Sequence, residues 1–296
     1  MKRDTTLQWR RVDPVRLDLG GMKVAIIGGT GGLGRALSRF LASRGADVVV
    51  VGQSFRDADL PRIEFVKADL SLMREAKRVA ALLPAETLGL IIFTTGIFAA
   101  PQREETAEGI ERDMAVSFLS RLVILRAIAP RLRKQRAATG MKPRVFVMGY
   151  PGSGQLGTLD DLNAEKSYSA LPAHMNTVAG NEMLVLEAVE RYPHANFFGL
   201  NPGLIRTNIR SNFLGGRKLL SGFVEWVIGL LNPSPETYAR NIAPLLVSPD
   251  IEERSGAMFD QKGRAIQPSS GLTSSHVHAF LAASEALTSR ANAHAA

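Results

Sequence analysis

Along this chain, short unbroken apolar runs take turns with longer stretches in which apolar residues return every three or four positions. Runs at 24–27, 48–51, 63–66, 90–93, 145–148, 197–200 and 257–259, rich in β-branched and aromatic residues, predict strands buried on both faces. Leu33, Ala36, Leu37, Phe40 and Leu41 show the second rhythm, and similar patterns at 71–83, 108–132, 177–191 and 236–247 predict further helices. Ser71 stands where a capping hydroxyl belongs. Strand–helix–strand units at this spacing, joined by right-handed crossovers, predict an α/β fold: a Rossmann-type doubly wound parallel sheet with helices on both faces. Its ligand crevice would open beyond the carboxyl ends of the strands.

Two stretches fall outside the alternation. Leu219, Leu220, Phe223, Val224, Val227, Ile228 and Leu231 form an apolar face at helical spacing, which predicts a helical lid, inserted at about 211–235, packing over the crevice. A helix lying on a membrane surface is the rival reading, weakened by a polar face without dense cations. The alanine-rich end, 282–296, reads as a helix fraying into a tail. The chain therefore divides into an extension, 1–20, and a single nucleotide-binding domain, 21–296.

The 296 residues, 45% apolar, suit one large domain. Without cysteine the chain has no thiolate nucleophile and no cysteine-ligated metal, which fits a reducing, cytoplasmic setting. Lys2, Arg3, Arg10, Arg11 and Arg16 lie among polar residues, so the beginning does not read as a secretory signal. No run reaches the ~20 apolar residues of a membrane span. The net charge of +8 is spread along the chain apart from Arg131, Arg133, Lys134 and Arg136, which end an apolar helix where cations complement its dipole; nucleic-acid binding is disfavoured.

The chemistry begins at 24–34, where a strand runs into Gly28-Gly29-Thr30-Gly31-Gly32-Leu33-Gly34 and then a helix. Gly28, Gly32 and Gly34 permit a tight turn, backbone approach to phosphate and close helix packing, so this is a dinucleotide site. An NAD site usually ends its second strand in an acid for the ribose hydroxyls, but here Gly52, Gln53, Ser54, Phe55 and Arg56 follow Val51. Arg56, with the Ser54 hydroxyl and Gln53 amide, could hold a 2′-phosphate, favouring NADP(H) over NAD(H). Otherwise Arg56 simply points into solvent.

From about residue 21 to 259 the chain resembles the short-chain dehydrogenase/reductase family, especially its retinol-dehydrogenase-like branch. Gly28 to Gly34 match that family's Thr-Gly-x-x-x-Gly-x-Gly, with Ile27 in the threonine place. Asp69-Leu70 matches the pair beside the adenine, and Thr95 and Gly96 fall in the place of Asn-Asn-Ala-Gly, written here Phe93-Thr94-Thr95-Gly96. Asn201-Pro202-Gly203-Leu204-Ile205-Arg206-Thr207 resembles the segment in which Pro202, Gly203, Ile205 and Thr207 would hold the carboxamide. Thr30, Gly31 and Leu33 complete the expected cofactor contacts. The similarity of 157–169 to that branch sets the register of Tyr-x-x-x-Lys, with His174 in the tyrosine place, Val178 in the lysine place and Asn181 at the following asparagine.

The resemblance therefore implies a nicotinamide oxidoreductase with its usual serine, tyrosine and lysine replaced. Gly149-Tyr150 stand for the serine pair and Ser117 for the asparagine of the long helix. Val178 can neither tune a phenol nor bond a ribose, and losing a positioned acid costs roughly 10²–10⁴ in rate. An imidazole can give and take a proton, so His174, with the Tyr150 phenol and Ser117, is the candidate proton-donating set; His174 filling vacated space is the alternative. Tyr168 and Lys166 have the wrong order and spacing and read as loop residues. His276 and His278 show no metal spacing, and no metal is expected. Two functions follow: a divergent NADP(H) oxidoreductase on an apolar carbonyl or alcohol, or a nucleotide-binding sensor or interaction protein without turnover. Homo-oligomers are common in the family, so a dimer or tetramer is a further expectation.

Overall fold

In the computed structural model, which describes residues 1–134, 140–203 and 233–294, eight strands form one sheet in the order β3-β2-β1-β4-β5-β6-β7-β8. They are β1 (Lys23–Ile27), β2 (Asp47–Gly52), β3 (Ile63–Lys67), β4 (Leu90–Phe93), β5 (Arg144–Met148), β6 (Asn196–Leu200), β7 (Met258–Phe259) and β8 (Ala265–Ile266). The first seven are parallel and β8 runs antiparallel to β7. Strand order reverses between β1 and β4, which opens a crevice at their carboxyl ends. β8 is too short to leave a hydrophobic pattern, and sequence rhythm misses it.

The unbroken apolar runs are explained by their two faces. Ala25, Ile27, Ile91, Phe93, Val145, Val147 and Phe197 pack into one layer, while Val24, Ile26, Leu90, Ile92, Phe146, Met148 and Phe198 pack into the other. The second layer is closed by α1 (Gly32–Ser43) and α6 (Pro235–Leu246), through Leu37, Leu41, Ile242 and Leu245. The first is closed by α2 (Met73–Leu82), α3 (Arg112–Met114), α4 (Ser120–Ile128), α5 (Ala170–Arg191) and α7 (Ser274–His294). Each such side chain contributes about 1.5–3 kcal/mol on leaving water.

Three helix boundaries depart from the pattern, each for a physical reason. Ser71 does not cap α2: its hydroxyl donates to Asp69, and the first amides of α2, Met73 and Arg74, donate to the carboxylate of Glu108. Glu108 therefore cannot begin the next helix, which starts instead at Arg112, where Glu111 accepts from the amides of Asp113 and Met114. Nor is that helix continuous. Between α3 and α4, residues Ala115–Leu119 form a π-turn, with the Ser120 amide reaching back to the Ala115 carbonyl. Finally, α5 begins at Ala170, two turns ahead of the expected start at 177, because Pro172 sits in the first turn, where its missing N–H is needed by no helical bond.

Among the described residues no helix is long and apolar enough to cross a membrane. Arg131 donates to the carbonyls of Ala80, in the last turn of α2, and Leu83, just beyond it, and pairs with Glu86, so this cation of the basic cluster is engaged within the fold. Arg136, the 219–231 lid, Ile205 and Thr207 lie outside the described residues. The leading segment follows the sheet's β8 edge: Arg3 bridges Ile266, the Gln267 amide donates to the Lys2 carbonyl, and the Trp9 indole donates to the Gly263 carbonyl at 2.6 Å.

Candidate functional site

The nucleotide turn is made by backbone. Gly28 has φ +96°, and a Cβ there would lie 2.5 Å from the Thr95 amide nitrogen, so both conformation and space require glycine. A Cβ on Gly34 would collide with the Gly28 carbonyl and the Thr94 hydroxyl, which packs α1 directly against the turn. At the helix start, Gly31 has no side-chain cap, and a Cβ there would meet nothing within 4 Å. The amino end of α1 is thus free of a side-chain cap, which suits a pyrophosphate at the positive end of the helix. Thr30 packs on Gly52 at the end of β2, and Leu33 packs into the layer beneath α1.

Beside this turn, Asp69 accepts from the amide and hydroxyl of Ser71 and from the Gln53 side chain; burial opposes its charge, but these bonds hold its carboxyl below the usual range. Leu70 is buried next to it. Gln53, Ser54 and Arg56 are exposed on the loop after β2. The first carboxylate after them in the chain, Asp57, is buried and accepts from Arg35 at 2.6 and 2.8 Å and Arg39 at 2.8 Å. Those guanidiniums, Arg35 foremost, hold its carboxyl below the ordinary value.

The other end of the crevice is made by side chains on two facing helices. Asp113, Ser117 and Arg121 project from one face of the α3–π–α4 segment, and His174 and Asn181 face them from α5. In a regular helix, residues four apart drift by about 40° per step; the wider π-turn takes that drift back and keeps the three polar groups in line.

Asp113 is wholly buried. One oxygen accepts the Ser117 hydroxyl, the other lies 2.7 Å from His174 Nδ1. Ser117 Oγ also accepts from the Ile97 amide at 3.0 Å, so this side chain is engaged on the crevice wall and is only 4% exposed. Phe98 stacks on the imidazole, ring centroids 4.3 Å apart. His174 keeps 15% of its side chain exposed, and among the described residues Nε2 has no hydrogen-bond partner.

Deeper in, the Arg121 guanidinium donates to the carbonyls of Thr95 and Met148, to the Thr95 hydroxyl and to Asn181 Oδ1 at 2.9 Å. Among the described residues no carboxylate touches it, and burial pulls its pKa down to about 9. Asn181 returns two bonds, to the carbonyls of Ser117 and Thr177. This cluster ties the ends of β4 and β5 to α5 and fixes Thr95, whose amide also bonds Ile27 at the nucleotide turn. Gly96 follows Thr95 on the same loop.

Of the sequence-derived candidates, His174 and Ser117 come together through Asp113. Tyr150 stands apart, 40% exposed beyond the end of β5. Pro202 and Gly203 follow β6, with the Gly203 amide held by Asn201 Oδ1 at 2.9 Å. Val178, expected in the lysine place, is buried. Tyr168 donates to the Ala100 carbonyl at 2.6 Å, and burial followed by Glu111 and Asp113 pushes its phenol up to about 12. Among the described residues no group of three His, Asp or Glu could hold a metal. Sequence reasoning misses Asp113 and Arg121. Their signal is the four-residue spacing of three polar positions, Asp113, Ser117 and Arg121, in a stretch where apolar residues predominate.

A family model described as short chain dehydrogenase matches residues 22–140. The chain is 54% identical, over 98% of its length and 95% of the relative's, to the uncharacterized oxidoreductase YKL107W of Saccharomyces cerevisiae. It is 26% identical to the polyprenol dehydrogenase of Mus musculus, over 82% of this chain and 77% of that one. Among solved structures, an uncharacterized protein from Mycobacterium paratuberculosis superposes with a TM-score of 0.67 at 20% identity, covering 95% of this chain and 98% of the other. The NADH-dependent reductase A1-R′, complexed with NAD, superposes with a TM-score of 0.57 at 18% identity, covering 82% and 95%.

Proposed function

This chain belongs to the short-chain dehydrogenase/reductase family, and we propose that within it the protein is an NADP(H)-dependent oxidoreductase acting on an apolar carbonyl or alcohol, with the imidazole of His174 as proton donor. The observation that carries the reading is the open amino end of α1 behind a turn in which Gly28 and Gly34 leave no room for a side chain. Gly28, Thr30, Gly31, Gly32, Leu33 and Gly34 would hold the pyrophosphate half. Asp69 and Leu70 would flank the adenine, and Thr95, Gly96, Pro202, Gly203, Ile205 and Thr207 would bound the nicotinamide. NADP(H) is preferred because Asp57 is already matched by two arginines, leaving exposed Arg56, with Ser54 and Gln53, to meet a 2′-phosphate.

When bound, the cofactor supplies hydride; the chain must orient the carbonyl and deliver a proton to its oxygen. His174, partly exposed beside Phe98, is suited to that delivery. An apolar substrate is supported by the 219–231 sequence and by the likeness to polyprenol dehydrogenase. A cysteine-free composition suits a cytoplasmic setting.

Calorimetry with NADPH and NADH, followed by NADPH oxidation against apolar aldehydes and ketones, tests the reading. NADPH should bind at least about tenfold more tightly than NADH, from the added charge-assisted contacts of one phosphate. His174→Phe should slow turnover roughly 10²–10⁴-fold. Failure of both nucleotides to bind overturns it; binding without hydride transfer to any carbonyl would replace it with the sensor reading, which the buried Val178 in the lysine place favours.

A further inference from the structure

From the contact between His174 and Asp113 we infer that Asp113 is the positioning residue of this site, fixing the imidazole in one tautomer and one orientation so that Nε2, and not Nδ1, exchanges the proton with substrate. The inference rests on the oxidoreductase reading above and names the group that would make His174 directional.

The geometry supports it at each atom. A carboxylate can only accept hydrogen bonds, and Asp113 takes one on each oxygen: from Ser117 Oγ and from His174 Nδ1 at 2.7 Å. Its side chain is completely withdrawn from water, so the imidazole proton has no competitor for that oxygen except the serine already on the other. A neutral histidine held this way carries its hydrogen on Nδ1 and a bare lone pair on Nε2. Phe98, stacked at an interplanar angle of 23°, limits rotation of the ring about the Asp113 contact. The carboxylate is itself placed by local structure: its own amide donates to Glu111 at the first turn of α3, and the π-turn brings Ser117 alongside it.

The proton balance is closed. In carbonyl reduction the doubly protonated ring gives its Nε2 hydrogen to the substrate oxygen as hydride reaches the carbon, leaving an alcohol and a neutral ring with its hydrogen on Nδ1. The 15% exposure of His174 then lets water return a proton to Nε2. In alcohol oxidation the same lone pair takes the hydroxyl proton. Asp113 gains and loses nothing; it keeps the ring in the form that can act.

The test is nitrogen-15 NMR of histidine-labelled protein, with the His174 signals assigned by their loss in His174→Gln; the chain has five histidines, so the spectrum is tractable. The expected result is a neutral His174 predominantly in the Nδ1–H form, shifting to Nε2–H in Asp113→Asn, whose amide would donate to Nδ1 instead. In the same variant kcat should fall roughly 10²–10⁴-fold with KM nearly unchanged. A native His174 in the Nε2–H form, or a tautomer unaltered in folded Asp113→Asn, would overturn the assignment. The native spectrum needs no variant, so misfolding of Asp113→Asn does not remove the test. Nor does it need a substrate: absence of nucleotide binding would defeat the oxidoreductase reading while the tautomer still decides the role of Asp113.

Discussion

The two ends of the crevice are built from different materials. At the nucleotide end the working groups are amides and glycines within one short segment, and side chains matter chiefly by their absence. At the other end five side chains from two helices, Asp113, Ser117, Arg121, His174 and Asn181, form a continuous hydrogen-bonded wall. A backbone site tolerates almost no change in its glycines. A side-chain site can exchange its chemistry while its scaffold stays, and the proposed register, with His174, Val178 and Gly149 in the places of tyrosine, lysine and serine, is an exchange of that kind on the family's fold.

The sharpest way to break the comparison is Gly34→Val. Overpacking a close-packed interior costs about 1–3 kcal/mol, and here the obstruction includes the Gly28 carbonyl, which cannot swing aside, so a loss of more than about 3 kcal/mol is expected. Denaturant titration would measure it, and the rise in Tm expected when NADPH is added to the native protein should be absent in the variant. A smaller effect is expected at the other end from Arg121→Met, which leaves the carbonyls of Thr95 and Met148 and the Asn181 oxygen without their donor: about 2–3 kcal/mol, again by denaturant titration. An unaltered midpoint would show that the wall bears no weight.

The smallest effect sharpens the account of the nucleotide end. Because Arg35 and Arg39 hold the Asp57 carboxyl below its ordinary value, the stability it contributes is present above about pH 4 and is lost as pH falls through the lowered folded value. Asp57→Asn should cost about 1 kcal/mol at neutral pH and flatten the acid limb of a stability–pH curve. Equal acid limbs in the two proteins would mean the arginines do not govern this carboxylate.

The same contrast explains how much of the molecule is legible in its sequence. Strands β1 to β6 and the glycine turn are written locally, as apolar runs and a fixed spacing of glycines, and they fall where the pattern puts them. His174 could be singled out as a candidate because a neighbouring stretch sets its register. Asp113 could not, because its meaning depends on a residue 61 positions away. The amino end of α2 is hidden for a related reason: its capping group, Glu108, comes from a different segment, and local rules favour the nearer Ser71. The early start of α5 matters most for the site, since it places His174 within a helix, in line with Asn181, rather than on the loop before it.

The path of the leading segment along β8 has a consequence for solubility. A sheet ends in a row of backbone donors and acceptors that will pair with any extended chain, including another copy of the same protein. Here the Lys2 carbonyl and the Asp4 amide already occupy part of that rim, through Gln267 and Ala265, and Leu7 is buried beneath the same stretch. The segment lies like a selvedge along this border, leaving fewer free backbone groups there for edge-to-edge pairing.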